Sequence, residues 1–331
     1  MEQQLYVAVI GTGSIGIRHL NALRHIPGVR PIAVPKRHER LCELAQAGYT
    51  TGETVYDVAQ KARARLCVVA SDTGQHLDDG LTAIRNGMDA LVEKPLGVNA
   101  LQAKELCLAA ELAGRQVFVG CVMRFSESLN TFRVFLSKIG RLHAVRIECQ
   151  SYLPAWRPTR PYKDSYSARA EEGGVLRDLI HEIDYAGWLF GWPVALQARV
   201  KNLGRLGIEA DEAADLIWET DKVGMVSVRL DYLSKPTRRR LTAFGELGTL
   251  EWDGVREVVT CTLEAEPVQE IVSRQTRDEM FVAQACAFIE TTQGHHEDRL
   301  ASGMDGIKAL AVCEAAWRST MSGREEKVEY M

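Results

Sequence analysis

A glycine-rich stretch near the start of the chain constrains its fold more than any other feature. The stretch "VAVIGTGSIG" (residues 7–16) places an apolar run before three glycines and a helix-like pattern after them. In such strand–turn–helix units the first glycine permits a tight turn and the second lets an anion approach the backbone. The third lets the helix pack closely on the strand. The stretch predicts a phosphate-binding turn at a helix N-terminus, with an ordinary glycine turn as the alternative. Its residues are Gly11, Thr12, Gly13, Ser14, Ile15 and Gly16.

Short apolar runs and helix-like stretches alternate up to about residue 122. The apolar runs span residues 5–11, 30–34, 65–71, 89–95 and 116–122, and helical spacing fills the intervals. Continuous apolar runs of this length are typical of strands buried on both faces. Strands that alternate with helices predict a doubly wound parallel sheet, here in a domain of residues 1–122.

The pattern changes after this point, which predicts a second domain at 123–331. Between about 194 and 262 the apolar residues recur with a period of two, as in antiparallel strands with one covered face. Helices are expected at 175–190, 276–292 and 302–321. Because so few helices close so many strands, we expect the chain to form a homodimer or homotetramer.

Composition excludes several classes of protein. The net charge of −4 gives no basic field for nucleic acid or an anionic membrane, and no apolar run approaches the length of a membrane span. No signal-peptide pattern follows Met1, and the eight cysteines include no C-x-x-C pair. The sequence therefore predicts a cytoplasmic protein with no zinc site and no disulfide framework.

The segment "AVPKRHER" (33–40) follows the second predicted strand and bears on the cofactor. When this glycine pattern binds NAD, an acidic residue about twenty positions later holds the adenosine ribose. Lys36 stands there instead, followed by Arg37 and Arg40. Cations at this position favour the 2′-phosphate of NADP, although NAD is not excluded. A solvated basic start of a helix is the alternative.

Two further motifs carry groups that can move protons. In "VEKPLG" (92–97), Lys94 stands at a strand end, where a lysine can share the proton of a substrate hydroxyl or be an ordinary exposed charge. In "GGVLRDLIHEIDYAGWLFG" (173–191), four polar residues recur at helical spacing and predict one helix face: Asp178, His181, Asp184 and Tyr185. A histidine flanked by carboxylates can act as a general acid or base. A partly buried structural helix is the alternative, and "HEIDY" lacks the second histidine of a zinc motif.

These motifs together resemble the Gfo/Idh/MocA family, named for glucose–fructose oxidoreductase, inositol 2-dehydrogenase and a rhizopine catabolism protein. The resemblance also includes "ASDTGQH" (70–76), "GCVMRF" (120–125) and the closing "GMDGIKALAVCEAAWRSTMSGREEKV" (303–328). It implies an α/β fold, with an N-terminal Rossmann doubly wound parallel sheet and a C-terminal domain with a large open, mostly antiparallel sheet. It also implies NAD(P)-linked oxidation or reduction at a carbon of a sugar or cyclitol.

The resemblance further implies roles for single residues. Lys94 matches the catalytic lysine of the family, and His181 the catalytic histidine, since x-x-Asp follows it. Asp178 matches the catalytic aspartate but lies three rather than four residues before the histidine. The remaining cofactor contacts implied are Ser71, Thr73, His76, Glu93 and Lys94 itself.

The irregular segment 152–172 is expected to bind the substrate together with Asp178 and His181. Its aromatic residues suit a sugar ring, and its cations suit a carboxylate or phosphate on the substrate. An exposed interface loop is the alternative. The residues expected to contact the substrate are Arg124, Trp156, Arg157, Tyr162, Lys163, Tyr166 and Arg169.

Three functions are compatible with these motifs. The first is a dehydrogenase or reductase that acts on CH–OH groups of a small sugar-like molecule. The second is a glycoside hydrolase that oxidises its sugar only transiently and leaves NAD(P)H unchanged over a cycle. The third is a non-catalytic NADP-binding sensor, which would have no need of Lys94 or His181.

Overall fold

The computed structural model describes residues 4–158 and 161–330, which divide into two compact units. The first unit comprises the residues up to Phe125 and the later segment Thr276–Ile307. The second comprises Ser126–Gln275 and the residues from Lys308 onward. The predicted boundary after residue 122 lies close to the first crossing, but the single cut misses the return of residues 276–307 to the first unit.

The described residues form both helices and strands throughout. The helices are α1 (Ser14–Arg24), α2 (Arg40–Gln46), α3 (Val55–Lys61), α4 (His76–Arg85), α5 (Ala100–Leu112), α6 (Glu127–Phe135), α7 (Val175–Asp178), α8 (Ile180–Phe190), α9 (Arg277–Thr292) and α10 (Gly303–Ser322). The strands are β1 (Leu5–Ile10), β2 (Val29–Val34), β3 (Leu66–Val69), β4 (Asp89–Glu93), β5 (Val117–Gly120), β6 (Leu142–Gln150), β7 (Ala195–Lys201), β8 (Ala213–Thr220), β9 (Val223–Asp231), β10 (Arg238–Gly245), β11 (Gly248–Asp253), β12 (Val258–Leu263), β13 (Gln269–Val272), β14 (Ala301–Ser302) and β15 (Glu326–Lys327). None of the described helices combines the length and the apolar composition that crossing a membrane requires.

The first unit is built on a six-stranded sheet with the order β14-β5-β4-β3-β1-β2. Strands β1 to β5 pair in parallel, and the two-residue β14 adds an antiparallel edge. The apolar runs are buried, for example Val7–Ile10 in β1 and Leu66–Val69 in β3. Strands buried on both faces require helices on both sides, so the predicted doubly wound parallel sheet is confirmed.

Helix α9 belongs to the first unit because it packs against α1. Asp278 of α9 lies 3.1 Å from Arg18, and Phe281 meets the ring of His19 edge-on at 5.0 Å between centroids. The helix starts with a capping box in which Thr276 and Glu279 satisfy each other's backbone N–H groups. An amphipathic pattern predicts this helix but not the surface it covers, which explains the difference from the predicted boundary.

The second unit is built on a nine-stranded sheet with the order β13-β12-β11-β10-β6-β9-β8-β7-β15. The pairs are antiparallel except for β6 with β9, which is parallel. Side chains alternate as the period of two requires: in β7, Leu196, Ala198 and Val200 are buried while their neighbours are less so. The predicted mostly antiparallel sheet is confirmed.

One face of this sheet is covered within the unit. Helix α8 packs on β6 and β9, and α6 packs on β11 and β12. The other face is mixed in chemistry: Arg229 pairs with Asp215, while Ile217 is 39% and Met225 50% exposed. The expected self-association of the chain stays a prediction.

The helix predicted over 175–190 is interrupted. Helix α7 ends at Asp178 and α8 begins at Ile180, because Leu179 between them has φ −97° and ψ 28°. Asp178 therefore does not share one continuous helix face with His181, Asp184 and Tyr185, and that part of the prediction is wrong. Neither glycine nor proline marks the break in the sequence.

A buried ion pair ties α8 to β10. Glu182 is fully buried, and its Oε1 lies 2.7 Å from Nε of Arg239. Burial by itself lowers the pKa of Arg239, but the Glu182 carboxylate, together with the nearby Cys149 and Tyr185 side chains, raises that pKa overall. Removing one partner leaves the charge of the other uncompensated in the protein interior.

We expect Arg239→Met to lower the free energy of unfolding by about 3 kcal/mol, because Glu182 would lose its counter-charge while staying buried. The control is Arg240→Met on the same strand, whose half-exposed side chain lies 3.8 Å from Asp253. This change should cost about 0.5 kcal/mol or less. Urea titrations followed by circular dichroism measure both. Equal losses of unfolding free energy in the two variants would contradict a stabilising role for the buried Glu182–Arg239 ion pair.

Candidate active site

The glycine turn between β1 and α1 has the shape that a bound phosphate requires. Gly11 has φ +83°, and a Cβ on it would lie 2.6 Å from the backbone nitrogen of Ser71. A Cβ on Gly16 would lie 1.9 Å from the Gly11 carbonyl oxygen. Both positions therefore exclude side chains. Gly13 has open space where its Cβ would be, so a ligand can approach the backbone there.

The start of α1 offers hydrogen-bond donors at this turn. Gly13 is the N-cap residue and supplies no side-chain cap, so the first N–H groups of the eleven-residue helix lack such a partner. Gly13 and Ser14 are exposed, Ile15 is half-buried and Thr12 is buried. Uncapped N–H groups and the helix dipole favour an anion here, so these residues fit the pyrophosphate of a dinucleotide.

The basic residues after β2 reach the surroundings of the glycine turn. Nη1 of Arg40 donates to the carbonyl oxygen of Thr12 at 2.6 Å. Nζ of Lys36, 44% exposed, lies 2.6 Å from Oδ1 of Asp79, a buried residue in the first turn of α4. Arg37 is exposed. Asp79, which the sequence reasoning missed, partly neutralises the charge of Lys36.

His76 joins the end of β3 to the segment that follows β4. Its ring is buried, with Nδ1 2.8 Å from the Pro95 carbonyl oxygen and Nε2 3.1 Å from that of Ser71. Burial lowers the pKa of His76, against the hydrogen bonds to these two carbonyls. Thr73 is also buried, and Ser71 is half-buried. The contacts of these three residues with a cofactor stay predictions.

Lys94 directly follows β4, at the carboxyl edge of the parallel sheet. Its backbone N–H donates to Oε2 of Glu93 at 3.2 Å, and Oε1 of Glu93 lies 2.7 Å from Nε2 of His19. Burial tends to raise the pKa of Glu93, but the His19 hydrogen bond and the nearby Lys94 charge lower it overall. No spacing rule pointed to His19, because its partner lies 74 residues away in the chain.

Arg124 lies in the first unit, in the helical turn Val122–Phe125. It is 2% exposed, and its Nη1 lies 3.5 Å from Oδ2 of Asp305. This carboxylate partly neutralises the guanidinium. The predicted contact of Arg124 with a substrate anion stays a prediction.

The second unit holds the other predicted catalytic residues. Asp178 is buried at the end of α7, and its Oδ2 accepts a hydrogen bond of 2.6 Å from the Tyr232 hydroxyl. Burial and the Asp178 charge raise the pKa of Tyr232, so the tyrosine remains a donor. His181, in the first turn of α8, is half-buried. Sequence reasoning missed Tyr232.

The other two polar residues of α8 turn away from solvent. Asp184 is buried, and the ring of Tyr185 packs edge-on against Trp252 at 5.8 Å between centroids. Burial, followed by the Glu182 charge, raises the pKa of Tyr185. Tyr185 therefore belongs to the core of the second unit.

The predicted substrate segment reaches Tyr232 through Trp156. The two rings meet edge-on at 5.4 Å, and Nε1 of Trp156 donates to Oγ of Ser151 at 2.8 Å. The hydroxyl of Tyr162 donates to the Leu206 carbonyl oxygen at 2.9 Å. Trp156, Tyr232 and Asp178 thus form one chain of contacts within the second unit.

The cations of this segment differ in their surroundings. The Arg157 guanidinium lies 5.9 Å from the centre of the Tyr166 ring, Lys163 is exposed, and Arg169 pairs with Glu172. Residues 159 and 160 of the segment lie outside the described residues. In residues 4–158 and 161–330 no three histidine, cysteine or acidic side chains are grouped as a metal ion would require.

Two protein-family models match the chain. Residues 5–121 match the model of the oxidoreductase family with an NAD-binding Rossmann fold, and residues 136–251 match that of the GFO/IDH/MocA C-terminal domain. Inositol 2-dehydrogenase 2 of Saccharopolyspora erythraea is 29% identical over 345 aligned residues, which cover 98% of this chain and 95% of that protein. The rhizopine catabolism protein MocA of Rhizobium meliloti is 28% identical over 190 residues, which cover 56% of this chain and 57% of that protein.

A solved structure shares the fold over the whole length. Levoglucosan dehydrogenase in complex with NADH superposes with a TM-score of 0.89 at 16% identity, covering 99% of this chain and 100% of that chain. Because the two matching models describe the N- and C-terminal domains of one family and occur here in that order, the chain belongs to the Gfo/Idh/MocA family of oxidoreductases.

Proposed function

We propose that the protein is an NAD(P)-dependent oxidoreductase that moves a hydride between nicotinamide and a hydroxyl-bearing carbon of a sugar, cyclitol or related small molecule. The observation that carries the proposal is the position of Lys94, at the end of the strand β4 in the same sheet edge as the glycine turn. Ligands of such sheets bind at this edge. The names of the relatives, an inositol dehydrogenase and a levoglucosan dehydrogenase, support the substrate class.

In this proposal each group of residues has one task. The glycine turn and the first N–H groups of α1 bind the pyrophosphate of the dinucleotide. The nicotinamide, when bound, accepts or supplies the hydride. Lys94 hydrogen-bonds the reacting oxygen of the substrate, and in the oxidation direction the hydroxyl proton passes to Lys94 or His181 as the C–O bond becomes C=O.

Asp178 is proposed to position the substrate. Its carboxylate accepts a hydrogen bond from the Tyr232 hydroxyl, and the Tyr232 ring makes a T-shaped contact with the ring of Trp156. His181, which is half-buried, is proposed to exchange a proton with solvent after the chemical step. Arg157 and Lys163 contribute positive charge to the substrate segment, which supports a substrate with a carboxylate or phosphate group.

We expect Lys94→Met to lower kcat by about 10²–10⁴-fold, because the reacting oxygen loses its proton partner. Dissociation constants for NADH and NADPH, measured by fluorescence titration, should stay within a few-fold of wild type. Turnover is measured with whichever member of a panel of cyclitols, free sugars and nucleotide sugars the wild type oxidises. Lys104→Met, on the exposed side of α5, is the matched control. A Lys94→Met enzyme within tenfold of wild type would remove Lys94 from the mechanism.

For His181→Ala we expect a fall in kcat together with the loss of the pH–rate limb near neutrality, where an imidazole ordinarily titrates. His143→Ala, an exposed histidine of β6 in the same unit, serves as the control and should keep the wild-type profile. The measurement is kcat and kcat/KM between pH 5 and 9. An unchanged rate and profile in His181→Ala would show that the histidine is structural.

The cofactor preference is proposed to favour NADP over NAD. Lys36, Arg37 and Arg40 follow β2 in the chain, and Arg40 contacts the glycine turn through the Thr12 carbonyl. Each charge-assisted hydrogen bond to a 2′-phosphate contributes roughly 1.5–3 kcal/mol. Because Asp79 partly neutralises Lys36, we propose a preference of about tenfold rather than the hundredfold that two unopposed cations would give.

The test compares the binding of both cofactors by wild type and by a Lys36→Asp/Arg37→Ala variant. Wild type should bind NADPH about tenfold more tightly than NADH at low salt, and less so at high salt because ions screen the phosphate contacts. The variant should prefer NADH. Lys104→Asp changes an exposed lysine of α5 and should leave the ratio unchanged. A wild type that binds NADH as tightly as NADPH would contradict the preference.

A further inference from the structure

Two buried histidines lie on either side of Lys94 without belonging to the predicted catalytic set. His19, on α1, is 1% exposed and contacts Glu93, the residue before Lys94. His76, at the start of α4, contacts the carbonyl oxygen of Pro95, the residue after Lys94. Side chains of α1 and α4 therefore contact both chain neighbours of Lys94, Glu93 and Pro95, and so limit the movement of the Lys94 backbone.

The contact of His19 with Glu93 has a defined direction. Burial tends to raise the pKa of Glu93 but the His19 hydrogen bond lowers it overall, which favours the ionised carboxylate, and an ionised carboxylate only accepts hydrogen bonds. Nε2 of His19, 2.7 Å from Oε1 of Glu93, must therefore carry the proton and donate it. A buried charge-assisted hydrogen bond of this length is among the stronger polar contacts in proteins.

Both oxygens of Glu93 are then engaged. Oε1 accepts from His19, and Oε2 accepts from the backbone N–H of Lys94 at 3.2 Å. Gly120 on β5 lies behind the carboxyl group, where a Cβ would be only 3.0 Å from Cδ of Glu93. The carboxylate thus has little room to rotate. Its two hydrogen bonds link the ring of His19 to the backbone N–H of Lys94.

The position of His19 depends in turn on the late segment of the chain that returns to the first unit. The rings of His19 and Phe281 of α9 form a T-shaped contact with 5.0 Å between centroids, and the neighbouring Arg18 pairs with Asp278. Helix α9 therefore packs against His19, the residue that hydrogen-bonds the Glu93 carboxylate.

We propose that His19 is a positioning residue that acts through Glu93 to fix the backbone from which Lys94 reaches the reacting oxygen. This inference rests on the function proposed for Lys94. A lysine side chain has four rotatable bonds, so a firmly held backbone reduces the number of positions its amine can take. A displacement of about 1 Å of a reacting group can reduce the rate by about 10²-fold.

The main test compares His19→Gln with His19→Leu, both as full-length enzyme with saturating cofactor. We expect His19→Leu to lower kcat by about tenfold or more, with KM for the oxidised panel compound and the NADPH dissociation constant changed by no more than about threefold. Gln places an amide N–H near the position of Nε2, so His19→Gln should restore most of kcat. His25→Leu, an exposed histidine just past the end of α1, is the matched control and should resemble wild type.

A spectroscopic measurement tests the hydrogen bond without turnover. In protein labelled with ¹⁵N-histidine, the Nε2–H proton of His19 should resonate far downfield and exchange slowly, because it is buried and bound to a carboxylate. The resonance should be absent in His19→Gln and should move upfield in Glu93→Gln. A wild-type spectrum without it would overturn the assigned hydrogen bond.

The outcomes separate this inference from the proposed function. If Lys94→Met remains active, the role of Lys94 fails whatever His19 does. If Lys94→Met is inactive while His19→Leu keeps wild-type kcat, the positioning role of His19 is overturned. If His19→Leu and His19→Gln lose kcat equally, or if KM and the NADPH dissociation constant rise by more than about threefold as kcat falls, His19 acts only through packing. If His19→Leu does not fold, His19→Gln and the spectrum decide the question.

Discussion

The approach of Gly16 to the carbonyl of Gly11 constrains the first unit more than any other contact. A Cβ at residue 16 would lie 1.9 Å from that oxygen, so α1 can leave β1 by this turn only without a side chain there. The turn brings the uncapped start of α1 to the carboxyl edge of the parallel sheet. Lys36, Ser71 and Lys94 follow β2, β3 and β4 at the same edge. One backbone contact thus determines where the phosphate donors and the neighbouring charged groups come together.

Local sequence patterns were sufficient to predict most strands of the two sheets, but not every strand pairing or helix packing. Buried apolar runs predicted β1 to β5, and alternation predicted β7 to β12, because both patterns follow from burial of strand faces. The parallel pairing of β6 with β9 and the packing of α9 on α1 depend on residues distant in the chain. The break at Leu179 is likewise unmarked, since its φ and ψ are open to any residue. A prediction from the helical spacing of apolar residues alone therefore continues the helix through Leu179.

The candidate site likewise contains residues that local motifs predict and residues that only contacts between distant parts of the chain reveal. The glycine turn, Lys94 and His181 stand in motifs a few residues long, so the sequence could single them out, and their roles stay predictions. His19, Asp79 and Tyr232 form their contacts with residues 74, 43 and 54 positions away. Spacing rules describe neighbours on one helix or strand and carry no information about such pairs. The residues that hold the site were therefore harder to predict than those expected to perform the chemistry.

The return of residues 276–307 to the first unit also has a consequence for protein synthesis. The unit that begins at the N-terminus needs α9 to cover α1, and Phe281 is added long after His19. At about 5–20 residues per second, residues 126–275, which separate the two segments of the first unit, take roughly 8–30 s to synthesise. During that interval the glycine turn and β1 to β5 exist on the ribosome with α1 uncovered, while strands β6 to β13 of the second unit are made. The first unit is thus completed only after strands β6 to β13 of the second unit have been synthesised.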